Sequence, residues 1–247
     1  VQKKRSRNPG DSKEMVAARR RFLNAGHYQP IAAAVSRAAL ADLAPGATAS
    51  CLDAGCGEGY YLRQLAAATS DLKTLALLGL DISKWAILSA AKQDQRPNWV
   101  VGSNANLPVL PGTLDRVLCM FGFPVYAEFA RVLKPDGQLL QVDAGPEHLR
   151  ELREIIYPTL KPERTADVQA PEGFTHLSTE TVRYPLNLTG PEQIADLLAM
   201  TPHLYRASAE GRAKAAALTA LSVTVEVRLT RFLARGHSHA DSGTVQL

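Results

Sequence analysis

The residues best placed to do chemistry are an acid and three glycines at alternate positions. They are Asp53, Gly55, Gly57 and Gly59, in the stretch CLDAGCGEGYY at 51–61. An apolar approach through Cys51 and Leu52 runs into them, and a helical pattern begins at Tyr60. That order reads as a strand, a glycine-rich turn and a helix N-terminus. Glycine supplies backbone angles other residues avoid and lets a ligand come close to the main chain. The helix start presents unpaired N–H groups to a polar or anionic group. This is the chemistry of a nucleotide-type site, where open α/β sheets hold their ligands. The plain alternative is a turn of the same shape with no ligand.

The dinucleotide fingerprint would need glycine at position 60, where Tyr60 stands. The spacing Asp-x-Gly-x-Gly-x-Gly instead resembles the first motif of class I S-adenosylmethionine (AdoMet) methyltransferases. The resemblance implies that Asp53 and the glycine turn hold the methionine end of AdoMet. The next element agrees: residues 75–81, LALLGLD, form an apolar run ending in Asp81. An acid at the tip of the second strand is placed to accept from two ribose hydroxyls. The alternative for Asp81 is to cap the helix starting at Ser83. After a short third strand, the polar run 103–108 places Asn104 and Asn106 where the adenine is expected, unless it is a plain loop. Phe123 and Pro124 follow the fourth strand, where the resemblance implies the methyl acceptor.

The elements that must position these groups can be read along the chain. Residues 11–24 read as a helix with Asp11 in a capping-box position, stopped at Gly26. A second helix from about Tyr28 to Leu43 carries Pro30 in its first turn and an apolar face of Ile31, Val35, Ala39 and Leu43. A helix feeding the first strand through a short turn runs antiparallel to it. Its N-terminus therefore lies on the ligand side, bringing His27 and Tyr28 toward AdoMet. Strands are expected near 49–54, 75–81, 98–101, 114–121 and 138–142. His148 follows the fifth strand and is expected at the same edge, approaching from a different side than Tyr28. Residues 158–180 read as a long irregular excursion, 181–188 as a sixth strand, and 189–200 and 207–219 as helices. Alternation of Leu221, Val223, Val225, Val227 and Leu229 marks a closing strand. The expected class is α/β: a class I, Rossmann-like methyltransferase with a mostly parallel seven-stranded sheet, an antiparallel last strand and helices on both faces.

With 247 residues, 46% hydrophobic and 21% charged, the chain is long enough for one large α/β domain. Its net charge of +4 is unevenly spread. Residues 1–21 hold Lys3, Lys4, Arg5, Arg7, Lys13, Arg19, Arg20 and Arg21 against Asp11 and Glu14, a balance of +6 that leaves −2 for the rest. A basic arm on a near-neutral body is an electrostatic footprint for polyphosphate; a solvated helix face is the bland alternative. We divide the chain into a basic arm and helix at 1–26 and a methyltransferase domain at 27–247. No apolar run is long enough to span a membrane, and the basic N-terminus lacks the apolar core of a signal peptide. Cys51, Cys56 and Cys119 are expected to be reduced thiols of a cytoplasmic protein. No Cys/His set has zinc-ligand spacing, and the two histidines of the tail after Gly236 make no metal site alone.

Several stretches carry a narrower likeness: KRSRNPGDSKEM (4–15), AARRRFLNAGHYQPI (17–31), LDAGCGEGYY (52–61), GLDISKWAI (79–87), ARVLKPDG (130–137), GPEHLREL (145–152), EGFT (172–175) and LLAMTPHLYRA (197–207). In order and spacing the chain resembles the bacterial large-subunit (23S) ribosomal RNA (guanine-N1)-methyltransferases over residues 3–235. The resemblance implies AdoMet as methyl donor and N1 of one guanine, in an RNA hairpin lining the peptide exit tunnel, as acceptor. It carries cofactor contacts onto Tyr28, Gly57, Glu58 and His148. It implies large-subunit ribosomal RNA as partner, allows a homodimer and implies no membrane. Family members have an N-terminal zinc-ribbon that helps to hold RNA; zinc is expected only in such a domain, which the resemblance would place just before Val1. Asp143 stands where the family has small or hydroxyl residues, so no role passes to it.

The sulfonium methyl is electrophilic by itself, which leaves the protein to align the nucleophile and exclude water. Guanine N1 must also lose a proton, to a base the sequence does not identify. Phe123 is the candidate to stack on an extruded base. Arg19, Arg20 and Arg21 are candidates to hold phosphates. Rival readings are an AdoMet methyltransferase acting on a small molecule, and a module that binds AdoMet or RNA without turnover.

Overall fold

The computed structural model describes residues 9–44, 46–69, 74–160 and 169–236. Half of the arm's basic residues (Lys3, Lys4, Arg5 and Arg7) and the tail histidines lie outside them.

Two helices open the described chain, α1 (Lys13–Asn24) and α2 (Gln29–Leu40). The α1 cap is Ser12, whose hydroxyl accepts the Met15 N–H at 3.2 Å. The expected cap, Asp11, is instead paired with Arg19 of the same helix. Helix α2 stops at Leu40, short of Leu43. Strand β1 (Thr48–Ala54) leads through the glycine turn into α3 (Tyr60–Ala68). Then come β2 (Thr74–Asp81), α4 (Lys84–Gln93), β3 (Asn98–Val101), β4 (Leu114–Met120), α5 (Tyr126–Val132) and β5 (Leu133–Ala144). The chain continues as α6 (Arg150–Ile156), β6 (Phe174–Thr189), α7 (Pro191–Ala199), α8 (His203–Arg206), α9 (Ala209–Ala216) and β7 (Ala220–Ala234).

The strands form one sheet in the order β3-β2-β1-β4-β5-β7-β6. Strands β1 to β5 are mutually parallel, and β7 runs antiparallel between β5 and β6. The expected class is therefore the observed one. Successive side chains of a strand point to opposite faces, and the central strands divide that way. Cys51, Leu118, Met120, Leu140 and Val142 join one core with Phe22, Ile31, Val35, Leu62, Leu65 and Leu152. Leu52, Val117, Cys119 and Leu139 join the other with Phe129, Val132 and Phe174. Burial on both faces is why these strands read as apolar runs rather than alternations.

The largest difference from the reading is at β6. Strand β6 starts at Phe174, so the second half of the expected excursion is paired to β7 from Phe174↔Ala234 to Thr189↔Ala220. As the outermost strand it is mostly exposed along its first half. Its run THLSTET thus carries little apolar signal, and the backbone ladder holds it together with polar side-chain contacts such as Arg37–Glu180 and Arg235–Thr175. Among the described residues, no helix is long and apolar enough to cross a membrane.

Candidate functional site

The glycine turn is tied to the end of β2. Gly55 and Cys56 both donate their N–H to the Leu80 carbonyl, at 2.8 and 2.9 Å. Gly57 donates to the Asp81 carboxylate at 2.9 Å, and the other oxygen of Asp81 accepts the Ser83 N–H at 2.8 Å. Asp81 thus braces the turn and the start of α4, while Ser83 is the helix cap. Each oxygen retains a second lone pair for a ligand hydroxyl. Burial raises the Asp81 pKa, and the two N–H donors offset part of that rise.

Two of the three glycines face different surroundings. Gly55, at φ 89°, looks toward open space: a Cβ there would come no closer than 3.9 Å to the Asn104 amide. Gly59, at φ 83°, turns inward, and a Cβ would collide with the Trp99 indole. One glycine therefore leaves room for a ligand and the other for the core. The Gly57 position faces the Arg19 guanidinium. Arg19 also pairs with Asp11 and donates to the Met200 carbonyl at 3.2 Å.

Unpartnered buried acceptors gather at this edge. Both carboxylate oxygens of Asp53 and the side-chain oxygen of Asn104 have no hydrogen-bond partner. Buried polar atoms without partners are rare because each forfeits its hydration. Burial, reinforced by the nearby Asp81, pushes the Asp53 carboxyl up to about 8. Such a group accepts a cationic donor readily. The ammonium of a methionine moiety, two ribose hydroxyls and an exocyclic amine are donors of the types these acceptors lack. Ile82, next to Asp81 and 44% exposed, adds an apolar face for a flat ring. The residues present fit AdoMet.

The remaining cofactor candidates divide. Asn106 is exposed and only bridges back to Ser103. Glu58 is buried, accepting from Arg63 at 2.9 Å and from Gln93 at 2.8 Å, with one oxygen unpartnered. Tyr28 and His148 form a second group, and they meet each other. The Tyr28 hydroxyl lies 3.4 Å from His148 Nε2, so the expectation that they approach from different sides is corrected. The closing strand causes this. The Gly145 N–H donates to the Glu226 carbonyl at 2.8 Å and the Leu149 N–H to the Thr224 carbonyl at 2.7 Å, folding the turn after β5 onto β7. The backbone N–H of Glu226 donates to His148 Nδ1 at 3.2 Å. Burial, helped by the Arg153 charge, lowers the His148 pKa to about 4. With Nδ1 accepting, the proton of the neutral ring belongs on Nε2, facing Tyr28.

Sequence reasoning missed Phe121. Its ring stacks on His148 at 5.9 Å and sits 6.2 Å from that of Tyr28. Its backbone is left-handed, at φ 53°, and its N–H donates to the Val142 carbonyl at 2.8 Å. A bulky residue in that conformation is strained, a feature that clusters at functional sites. The signal available was only its place at the end of a central strand. Phe123 is 89% exposed.

The three RNA candidates are dispersed. Arg19 lies against the glycine turn, Arg21 holds Asp196 of α7 in a two-pronged pair at 2.7 and 3.0 Å, and Arg20 is exposed. Asp143 is exposed and accepts from Gln141 at 2.7 Å. Cys51, Cys56 and Cys119 are free, buried thiols. Among the described residues, no three His, Cys, Asp or Glu side chains gather as a metal site.

A methyltransferase domain family model matches residues 51–137, from β1 through the glycine turn and Asp81 to the bend in β5. A Micromonospora griseorubida protein bearing the name of a 23S rRNA (guanine-N(1)-)-methyltransferase is 34% identical, over 92% of this chain and 82% of its own length. The 23S rRNA (guanine(748)-N(1))-methyltransferase of Streptomyces fradiae is 30% identical, over 78% of this chain and 69% of its own. Among solved structures, the YcgJ protein of Bacillus subtilis superposes with a TM-score of 0.51 at 18% identity, over 83% of this chain and 97% of that one. That last likeness is one of fold.

Proposed function

This chain belongs to the 23S ribosomal RNA (guanine-N1)-methyltransferase family, and from that premise we propose that it methylates N1 of a specific guanine in a hairpin of large-subunit ribosomal RNA. It is an AdoMet-dependent methyltransferase. The observation that carries the site assignment is the set of unpartnered acceptors on Asp53 and Asn104 beside the open glycine turn. In this reading Asp53 takes the methionine ammonium, Asp81 the ribose hydroxyls and Asn104 the adenine edge. Gly55, Gly57 and Gly59 shape the turn.

AdoMet, when bound, supplies an electrophilic methyl on a sulfonium. The chain's own part is to hold the acceptor nitrogen in line and keep water out. The aromatic group Tyr28, Phe121 and His148 serves as the wall that does so. His148 is a positioning residue rather than the base. Its Nδ1 is taken by the Glu226 N–H, and its low pKa makes it a poor proton acceptor. Phe123, exposed at the exit of β4, stacks on the extruded guanine. Arg20 and the basic arm contact phosphates in the cytoplasm, where the substrate RNA resides.

The deciding experiment incubates the protein with labelled AdoMet and large-subunit ribosomal RNA, then maps the RNA by mass. One added methyl on one guanine, blocking its Watson–Crick edge, is the expected result. Label confined to small molecules from a cell extract would favour a small-molecule acceptor and overturn the RNA reading.

A further inference from the structure

We propose that Trp85, with the Lys13 and Lys84 ammonium groups close to its ring, is a stacking site for an unpaired nucleotide flanking the methylated guanine. The inference rests on the RNA reading above and names a second contact for it, away from the reaction centre. Trp85 lies in the first turn of α4, just past Asp81. It therefore stands on the ligand edge of the sheet, beyond the cofactor site. The Lys84 ammonium is 4.7 Å from the indole centroid, and that of Lys13, on α1, is 5.9 Å away. Two cations from separate elements thus converge on one ring. Among the described residues neither lysine forms an ion pair. Leu88, one helical turn along, is 50% exposed and extends the same face.

The chain itself enters at this surface. Gly10 packs against Ile82 and Ser83, and the Ser83 hydroxyl donates to the Asp11 carbonyl at 2.7 Å. Lys3, Lys4, Arg5 and Arg7 precede Gly10 in the sequence by three to seven residues. The occupant must be anionic and must present a flat apolar face. A nucleotide does both: its base stacks on the indole while its phosphates meet the ammonium groups. An anionic membrane offers charge without a ring, and an acidic peptide offers no series of flat faces.

The test uses the full chain, a short RNA hairpin with a single-stranded flank, and the same hairpin without the flank. Trp85→Leu should weaken binding of the flanked hairpin roughly ten-fold, within the range known for base–aromatic stacking, and leave the blunt hairpin nearly unchanged. Trp85→Phe should restore most of the loss. Lys13→Gln with Lys84→Gln should lower the slope of log affinity against log salt by about 0.7 per residue. RNA should also quench Trp85 emission, leaving that of Trp99, whose indole N–H is held by the Asp94 carbonyl at 2.7 Å. Unchanged AdoMet affinity certifies that each variant is folded. If Trp85→Leu binds the flanked hairpin like the parent protein, the platform is wrong and the RNA reading stands. If the parent protein binds AdoMet but neither hairpin, the RNA reading fails and the platform falls with it.

Discussion

The Tyr28 hydroxyl and His148 Nε2 stand 3.4 Å apart although 120 residues separate them in the chain. Tyr28 is fixed as the entry residue of α2, and the Tyr184 hydroxyl donates to the neighbouring His27 carbonyl at 2.7 Å. His148 is fixed by the Glu226 N–H. Each partner is thus oriented by β6 or β7, the two strands added beyond β5. Tyr28→Phe should keep the ring stack, lower AdoMet affinity modestly and leave stability near that of the parent. Tyr28→Ala should lower affinity further by opening the wall to water. A structure with bound AdoMet in which both side chains lie beyond about 4.5 Å of every cofactor atom removes them from the site.

His148 also imposes a pH dependence. Its ring takes a proton near 6.5 when unfolded but only near 4 when folded. Between those values the unfolded chain binds more protons. Stability is therefore intact above pH 6.5 and falls as the pH drops toward 4. His27, half-buried beside Phe22, acts in the same direction. The loss from His148 at pH 4.5 should reach about 2–3 kcal/mol. Urea midpoints of the parent and His148→Gln should converge as the pH falls; parallel curves would rule out a buried neutral imidazole.

Asp53 has the opposite sign. Its folded pKa, about 8, lies above its unfolded value, so its contribution to stability is lost as the pH rises from about 4 to 8. Asp53→Asn should stabilise the ligand-free protein at pH 8 by on the order of a few kcal/mol while weakening AdoMet binding. A cationic donor would return Asp53 to its charged form. Binding near pH 7 should then release close to one proton per AdoMet, read as a buffer dependence of the calorimetric heat. No such dependence would remove Asp53 from the ammonium site.

Asp81→Ala removes a brace as well as a ligand contact. AdoMet affinity should fall by about 1.5–3 kcal/mol, the range for hydrogen bonds to a charged group. The glycine turn should loosen too, visible as faster amide exchange at Gly57 and Ser83. Unchanged affinity in calorimetry would mean the ribose lies elsewhere.

The arginines should separate by neighbour. Arg20→Ala should lower the salt slope of RNA binding by about 0.7 and leave AdoMet affinity alone. Arg19→Ala, at the glycine turn, should alter AdoMet affinity instead. Equal effects of the two variants on both ligands would contradict this division.

Phe121→Gly removes backbone strain and an aromatic wall together. Folding stability should change little, whereas the rate of methyl transfer should fall more than the affinity for either substrate. A parental rate would show that the stack against His148 plays no part in positioning.

What the sequence determined by itself is local. A strand, three glycines and a helix start are specified by neighbours a few residues apart, so the turn and the acid at the tip of β2 were legible without coordinates. The alternation of Val223, Val225 and Val227 likewise marked β7 because the face they share is buried. The tertiary structure decided everything that depends on contacts distant in sequence. It joined β6 to the sheet through a ladder its polar residues do not announce. It chose Ser12 over Asp11 as a cap because Asp11 had Arg19 to hold. It turned Arg19 to the glycine turn and Arg21 to Asp196, so a row of three equal charges became three different environments. It set Phe121 on His148 and Tyr28, and brought lysines of two helices to Trp85. Spacing along one strand or helix is fixed by backbone geometry, whereas the choice among distant partners is made only when two faces of a sheet are packed at once.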